Sequence, residues 1–255
     1  MAISTDIIVL VHDAFDCTKQ FCEFIGAHTR DYRLCLWDNG STDHRTIDFL
    51  KAGAEQGKWE LHIETANLGI VTGRNRAVKH FLKADQFVII DNDQFVRSGW
   101  LDALSTKLND GFDIVGPEAW RLIPPALTGA RPANSYYPYR HCTNPDEHFC
   151  YIGCGGQLIR RSVYEAIGLY DEQFNPAYFE DPDYCFRAVQ YGFRLGWVPN
   201  APILHVGKTT TSRQTLFSQG SQFRRSLLKF QQKWYPYYCE VDKHGNKHES
   251  GRSPG

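Results

Sequence analysis

Two groups of carboxylates carry the chemistry this sequence could perform. Asp91-Asn92-Asp93 follows the apolar run FVII at 87–90, so two carboxylates leave a buried strand on one side of the chain and flank a small polar residue. Hard divalent cations prefer oxygen ligands, and Mg²⁺ or Mn²⁺ is commonly held by one or two carboxylates plus the phosphates of a substrate. By itself the pattern is weak, because acidic residues after a strand also form solvated turns and helix caps. Tyr178-Phe179-Glu180-Asp181-Pro182-Asp183 sets a second acidic group at the start of a helix, where Pro182 suits an early position. Such carboxylates can serve as a general base or simply complement the helix dipole. Gly153-Cys154-Gly155-Gly156 either lets backbone approach a ligand closely or makes a turn.

The elements that must position these groups follow from hydrophobic pattern. Residues 6–11, 33–37 and 87–90 are short apolar runs, each ending in a polar cluster and separated by helix-length segments. Buried parallel strands read this way, with crossover helices expected at about 18–29 and 72–84. Ligands then gather at the carboxyl ends of the strands, at His12-Asp13, at Asp38 to Asp43 and at Asp91 to Asp93. Residues 117–151, rich in Pro, Tyr, Arg and His, read as a long irregular loop, in which Trp120 and the Tyr136, Tyr137 and Tyr139 run could stack on sugar faces. Helices are expected at about 161–167 and 181–191, a strand at about 195–198, and an amphipathic helix at 212–234. That last helix is expected to pack on the domain. Its Arg224, Arg225, Lys229 and Lys233 leave peripheral membrane contact as the alternative. The expected division is one domain over 1–235 and a polar, mobile tail over 236–255.

Composition bounds the rest. A chain of 255 residues that is 42% hydrophobic and 22% charged suits one α/β domain with a sizeable core. With 28 basic against 29 acidic side chains there is no bulk attraction to nucleic acid or to anionic lipid, so an anionic ligand must be met locally. The run IIVLV lacks a basic flank and a small-residue cleavage site, which reads as a strand rather than a leader. Eight scattered cysteines imply a reducing, cytoplasmic setting.

The order DIIVLVHDAFD, LCLWDNGSTD, ETANLGIVTGRNRAV and FVIIDND resembles the first half of GT-A glycosyltransferases of family two. The likeness continues through GCGGQLIRRSVYEAIGLYDEQF, YFEDPDYCFRA and PILHVG, from about residue 6 to 210. The resemblance implies a single GT-A domain with a mixed central sheet, in which a Rossmann-like nucleotide-binding half abuts an acceptor-binding half. It implies an inverting transfer from a nucleotide diphosphate sugar to a carbohydrate hydroxyl, assisted by Mn²⁺ or Mg²⁺. By the same likeness Asp38 reads the base, with Val11, His12 and Asp13 beside it. Asn67, Gly69 and Arg74 follow the nucleotide, and Arg74 or Lys208 meets the diphosphate, although Val71-Thr72 departs from the small residues usual there. Asp91, Asn92 and Gly155 adjoin the donor, while Asp91, Asp93 and His205 are the implied metal ligands. Asp181 takes the place of the base, with Glu180 or Asp183 left as alternatives for that role or for orienting the acceptor.

Two other functions compete. A sugar-nucleotide pyrophosphorylase would carry a glycine-rich basic loop where this chain has His12-Asp13-Ala14-Phe15-Asp16. A non-catalytic binding module would have no need of the carboxylates and His205 together.

Overall fold

The computed structural model describes residues 5–123, 128–132, 150–206 and 216–238. In chain order the strands are β1 (Thr5–Val11), β2 (Tyr32–Asp38), β3 (Glu60–Ile63), β4 (Gln86–Asp91), β5 (Gln94–Val96), β6 (Ile114–Gly116), β7 (Ala119–Ile123), β8 (Thr128–Pro132), β9 (Cys150–Ile152), β10 (Gln157–Arg160), β11 (Leu195–Trp197) and β12 (Ile203–His205). The helices are α1 (Phe15–His28), α2 (His44–Glu55), α3 (Ile70–Phe81), α4 (Trp100–Asn109), α5 (Arg161–Ile167), α6 (Glu180–Gln190) and α7 (Leu216–Tyr238).

Seven strands form the central sheet in the order β11-β6-β10-β4-β1-β2-β3. The neighbours β4-β1-β2-β3 are parallel, and β10 runs antiparallel to both β4 and β6. This is the mixed sheet expected. Along β1 the side chains alternate between two cores, Ile8 on the face covered by α3 and α6 and Ile7 and Val9 on the face covered by α1 and α4. Burial on both faces is why β1, β2 and β4 read as unbroken apolar runs.

Over 119–123, 128–132 and 150–152 the expected irregular loop is corrected: these residues form the antiparallel sheet β8-β7-β9. Their mixture of Arg, Pro and Tyr hides the period-two pattern of a strand. The expected Tyr136, Tyr137 and Tyr139 platform, and Lys208, lie outside the described residues.

Helix α7 packs on the domain as its spacing predicts. Phe230 and Trp234 are 0% and 2% exposed and meet Phe174, Phe179 and Phe186. Polar contacts lock the docking: Trp234 Nε1 donates to Asp183 Oδ1 at 2.9 Å, and Lys233 Nζ lies 2.7 Å from both Asp183 and Asp171. Lys229 donates to the Gln173 carbonyl, so part of the basic face is spent within the protein. The helix runs on to Tyr238, past the expected domain end, and 239–255 lie outside the described residues. No described helix is long and apolar enough to cross a membrane. Trp234→Ala is expected to destabilise the protein by about 3–5 kcal/mol in denaturant titration, the usual cost of emptying a buried aromatic site; a change below about 1 kcal/mol would show α7 to be loosely attached.

Candidate active site

The carboxyl ends of β1, β2 and β4 converge because the three strands are parallel neighbours. Asp13, at φ 53, ties the first two ends together: its carboxylate accepts from Thr42 N at 2.7 Å and Asp43 N at 2.8 Å, while its own N–H donates to Ser41 Oγ. Burial opposes ionisation, but those backbone donors, His12 and the Thr42 hydroxyl outweigh it and hold the Asp13 carboxyl below its ordinary value. Asp38 is fully buried; Oδ1 closes an Asx-type turn by accepting from Ser41 N at 2.9 Å, and Oδ2 has no hydrogen-bond partner among the described residues. The side chain thus completes the local turn from beneath the cavity. Gly40, at φ 73, lies so near the next loop that a Cβ would sit 2.4 Å from the Ala66 carbonyl carbon. Asn39 fixes that loop, accepting from Leu68 N and donating to Asn67 Oδ1 and the Gly69 carbonyl.

A cavity of about 240 Å³ opens over these ends, lined by His12, Asn67, Gly69, Arg74, Asp91, Asn92 and Asp93, with Leu10, Asn39, Ile70, Pro176, Ala177, Tyr178 and Gln222. Seven of the expected residues therefore share one wall system. Val11, Asp13, Asp38, Gly155 and His205 do not line it. Gly155 instead packs on Gln94, whose Nε2 a Cβ would approach to 2.2 Å, and Gln94 Oε1 in turn accepts from Asp91 N at 2.9 Å. Asn92 donates to Thr18 Oγ1 at 2.8 Å, which pins the middle of the acidic turn to α1.

Arg74 is 5% exposed, far from a surface arginine. Its guanidinium donates to Asp91 Oδ1 at 2.5 Å and to Cys154 Sγ at 3.0 Å, and lies 3.6 Å from Glu180 Oε1. One cation thus joins the end of β4 to the start of α6. A neighbouring cavity of about 180 Å³ is lined by Glu180, Asp181, Tyr151, Tyr178, Phe179, Phe223, Leu122 and Pro182. Asp181 Oδ2 accepts from Cys154 N at 3.2 Å, while Asp181 Oδ1 and Glu180 Oε2 are buried without partners among the described residues. Asp183 is fully buried and held by Arg187, Lys233 and Trp234, so it anchors α7 instead of facing this cavity.

His205 reaches the acidic turn through strand pairing. β12 runs antiparallel to β5 with His205 opposite Gln94, and Val206 N donates to the Asp93 carbonyl. Its Nε2 lies 3.4 Å from Asp93 Oδ1 and its Nδ1 3.5 Å from Glu118 Oε1. Hydrogen bonds to those two carboxylates raise its pKa to about 10 against the opposing effect of burial. A carboxylate oxygen and an imidazole nitrogen at that separation can share one divalent ion, since each would stand about 2.0–2.2 Å from it, and a metal would replace the imidazole's proton. Asp91 is directed to Arg74 instead, and among the described residues the ligand atoms of Asp91, Asp93 and His205 do not all fall within 4.8 Å; the one group that does is Cys154, Glu180 and Asp181. The donor set therefore fits a hard or borderline cation held by Asp93 and His205 and completed by phosphate oxygens and water.

The pattern of glycosyl transferase family 2 matches residues 6–168. The chain belongs to that family. Its fold is shared with the mannosyltransferase PcManGT of Pyrobaculum calidifontis in complex with GDP-Man and Mn²⁺, at TM-score 0.61 and 15% identity, over 81% of this chain and 58% of that one. It is shared also with GalNAc-T7 with UDP, GalNAc and Mn²⁺, at TM-score 0.72 and 13% identity, over 94% and 49%. Staphylococcus aureus TarS 1-349 with UDP-GlcNAc aligns at TM-score 0.56 and 13% identity, over 83% and 62%. The fold is a single GT-A domain. Among curated sequences, the uncharacterized protein y4gI of Sinorhizobium fredii is 22% identical over 89% of this chain, which spans 27% of that protein's length.

Sequence reading did not single out Asn39, Tyr178 or Gln222 as site residues. Asn39 lies inside the DNGSTD run, but Gln222 comes from a helix remote in sequence and carries no local signal. Glu180 is pushed up to about 8 by burial and by the adjacent Asp181, against the opposing pull of Arg74, and Asp181 is raised by burial as well. A raised carboxyl keeps in the folded state a proton the unfolded chain has released, so its stabilising effect is complete below pH 4.5 and is lost as pH rises through about 8. Glu180→Gln should flatten this decline, read as the denaturation midpoint at either end of the interval; identical slopes in variant and wild type would show that Glu180 titrates normally.

Proposed function

We propose that this chain transfers a sugar from a nucleotide diphosphate sugar to an acceptor hydroxyl with inversion at the anomeric carbon, assisted by Mn²⁺ or Mg²⁺. The observation that carries this reading is the pair of adjoining cavities with Tyr178 in the wall of both, one ending at Asp91 to Asp93 and the other at Asp181. Inversion would have a leaving diphosphate in the first and an attacking hydroxyl in the second approach the reacting carbon from opposite sides, as a single displacement requires. The nucleotide sugars and Mn²⁺ bound in structures of the same fold support the choice of donor and ion.

In this reading the turn that Asp38 closes, with Val11, His12 and Asp13, shapes the wall against which the nucleotide rests, Asp38 itself being buried beneath it. Asn67 and Gly69, at the start of α3, border the nucleotide, where helix N–H groups favour anions. Asp93 and His205 would hold the divalent ion, which supplies positive charge to the departing diphosphate. Asp91 is held by Arg74, and Arg74 acts on the donor through that carboxylate.

Asp181 is the base. The N–H from Cys154 favours the ionised form of Asp181, and burial beside Asp181 raises Glu180, so this reading assigns the proton of the pair to Glu180. As the acceptor oxygen bonds to the anomeric carbon, the bond from that carbon to the diphosphate oxygen breaks with its electrons, and the hydroxyl proton passes to Asp181. Glu180 keeps its proton and can donate to a neighbouring acceptor oxygen.

Asp181→Asn is expected to lower kcat by about 10²- to 10⁴-fold while nucleotide affinity stays near wild type, measured by released nucleoside diphosphate and by calorimetry. Unchanged turnover would remove Asp181 from the role. Chelation should stop transfer and Mn²⁺ or Mg²⁺ restore it, and Asp93→Ala should abolish the metal dependence of donor binding; a variant still fully stimulated by metal would place the ion elsewhere.

A further inference from the structure

We propose that Cys154, Glu180 and Asp181 form a second metal site, suited to Zn²⁺ and separate from the pair Asp93 and His205. One ligand atom from each of the three lies within 4.8 Å of the others. The fold brings them together from two places: Cys154 stands between β9 and β10, α6 packs against β9, and Cys154 N donates to Asp181 Oδ2 at 3.2 Å. Glu180 is 6% exposed, and its Oε2 is buried without a partner among the described residues, as is Asp181 Oδ1. Two acceptor oxygens thus converge beside a sulfur with no donor to meet them, which is what an absent cation leaves behind.

The charge balance points the same way. The guanidinium of Arg74 serves Asp91, Glu180 and Cys154 at once, so the cluster is short of positive charge. Burial accordingly holds protons on the Cys154 thiol and, together with the adjacent Asp181, on Glu180. A divalent ion would take the place of those protons. Arg74, which already donates to Cys154 Sγ at 3.0 Å, would then stabilise the thiolate from behind, as outer partners of metal ligands do.

The donor set selects the ion. Mg²⁺ and Mn²⁺ favour oxygen ligands, whereas a thiolate favours Zn²⁺. Around a tetrahedral zinc neighbouring ligand atoms stand roughly 3.4–3.6 Å apart, so a contraction of about 1 Å closes these side chains on the ion. Three protein ligands leave a fourth position for water, and Glu180 and Asp181 line the cavity of about 180 Å³ through which ion and water would enter. Zinc held there occupies the carboxylate assigned above as the base. That it stops transfer therefore rests on the transfer reading; that it binds does not.

Co²⁺ is the probe, because a cysteine ligand gives it an intense thiolate-to-metal charge-transfer absorption in the near ultraviolet that oxygen and imidazole ligands do not. The reduced, metal-free full chain is titrated with Co²⁺ in excess Mg²⁺, then with Zn²⁺. The band should appear, be displaced by Zn²⁺, persist in Asp93→Ala and vanish in Cys154→Ser, while Asp181→Asn and Glu180→Gln should each weaken Co²⁺ binding at least tenfold. Absence of the band overturns the proposal, as does its loss in Asp93→Ala, its survival in Cys154→Ser, or affinity indifferent to both carboxylate variants. Circular dichroism checks folding, and the carboxylate variants decide the matter if Cys154→Ser does not fold. Zn²⁺ that fills this site and leaves turnover of a nucleotide sugar unchanged removes Asp181 from its role as base and leaves the metal site standing. Turnover in a chain without the band does the reverse.

Discussion

The buried guanidinium of Arg74 is the contact on which the arrangement of both cavities depends. It comes from α3, which packs across β1 and β2, and it meets Asp91 at the end of β4 and Glu180 at the start of α6. Without it, carboxylates from two separate elements would face each other in a poorly solvated space, and the helix carrying them would move or take up protons. A buried ion pair rarely adds net stability over an apolar replacement, but removing one partner is costly because the other charge remains. Its value here is positional: one rigid fork fixes the spacing between the acidic turn and the acidic helix start.

A second anchor holds the far side. Asp183 is three residues beyond Glu180 and points into the contact with α7, where Trp234, Lys233 and Arg187 surround it. The first turn of α6 is therefore divided by helical geometry, with Glu180 and Asp181 toward the cavities and Asp183 toward the docking helix. The same docking brings Gln222 and Phe223 to the cavity walls. Packing and site construction are one event in this part of the chain.

Much of this was legible in sequence where both faces of an element are buried. β1, β2 and β4 are unbroken apolar runs, and their ends carry the polar residues that the fold gathers. By contrast, β3 is a half-exposed edge strand, ELHI, whose mixed residues give neither alternation nor an apolar run. β7 and β8 belong to a small separate sheet, and Arg and Pro within them mimic loop composition. The acidic motifs were found because they are contiguous, as was the helix start at Glu180. What sequence could not give was the direction of each carboxylate: Asp91 turned to Arg74, Asp93 to His205, and Asp183 to Trp234. Those choices are set by partners 17 to 112 positions away in the chain, and no local spacing encodes them.

The pairing of β12 with β5 carries a consequence for how the protein comes into being. Asp93 is placed early in the chain, yet the strand that brings His205 to it is made more than a hundred residues later, after α6 has delivered Asp181. During synthesis at about 5–20 residues per second, the parallel half of the sheet emerges first and can fold behind the ribosome. At that stage the nascent chain has its acidic turn but neither its imidazole neighbour nor the carboxylates of α6. The last strand and the docking helix thus act as a closing stitch, bringing His205 to Asp93 and Gln222 and Phe223 to cavity walls that the first half leaves open.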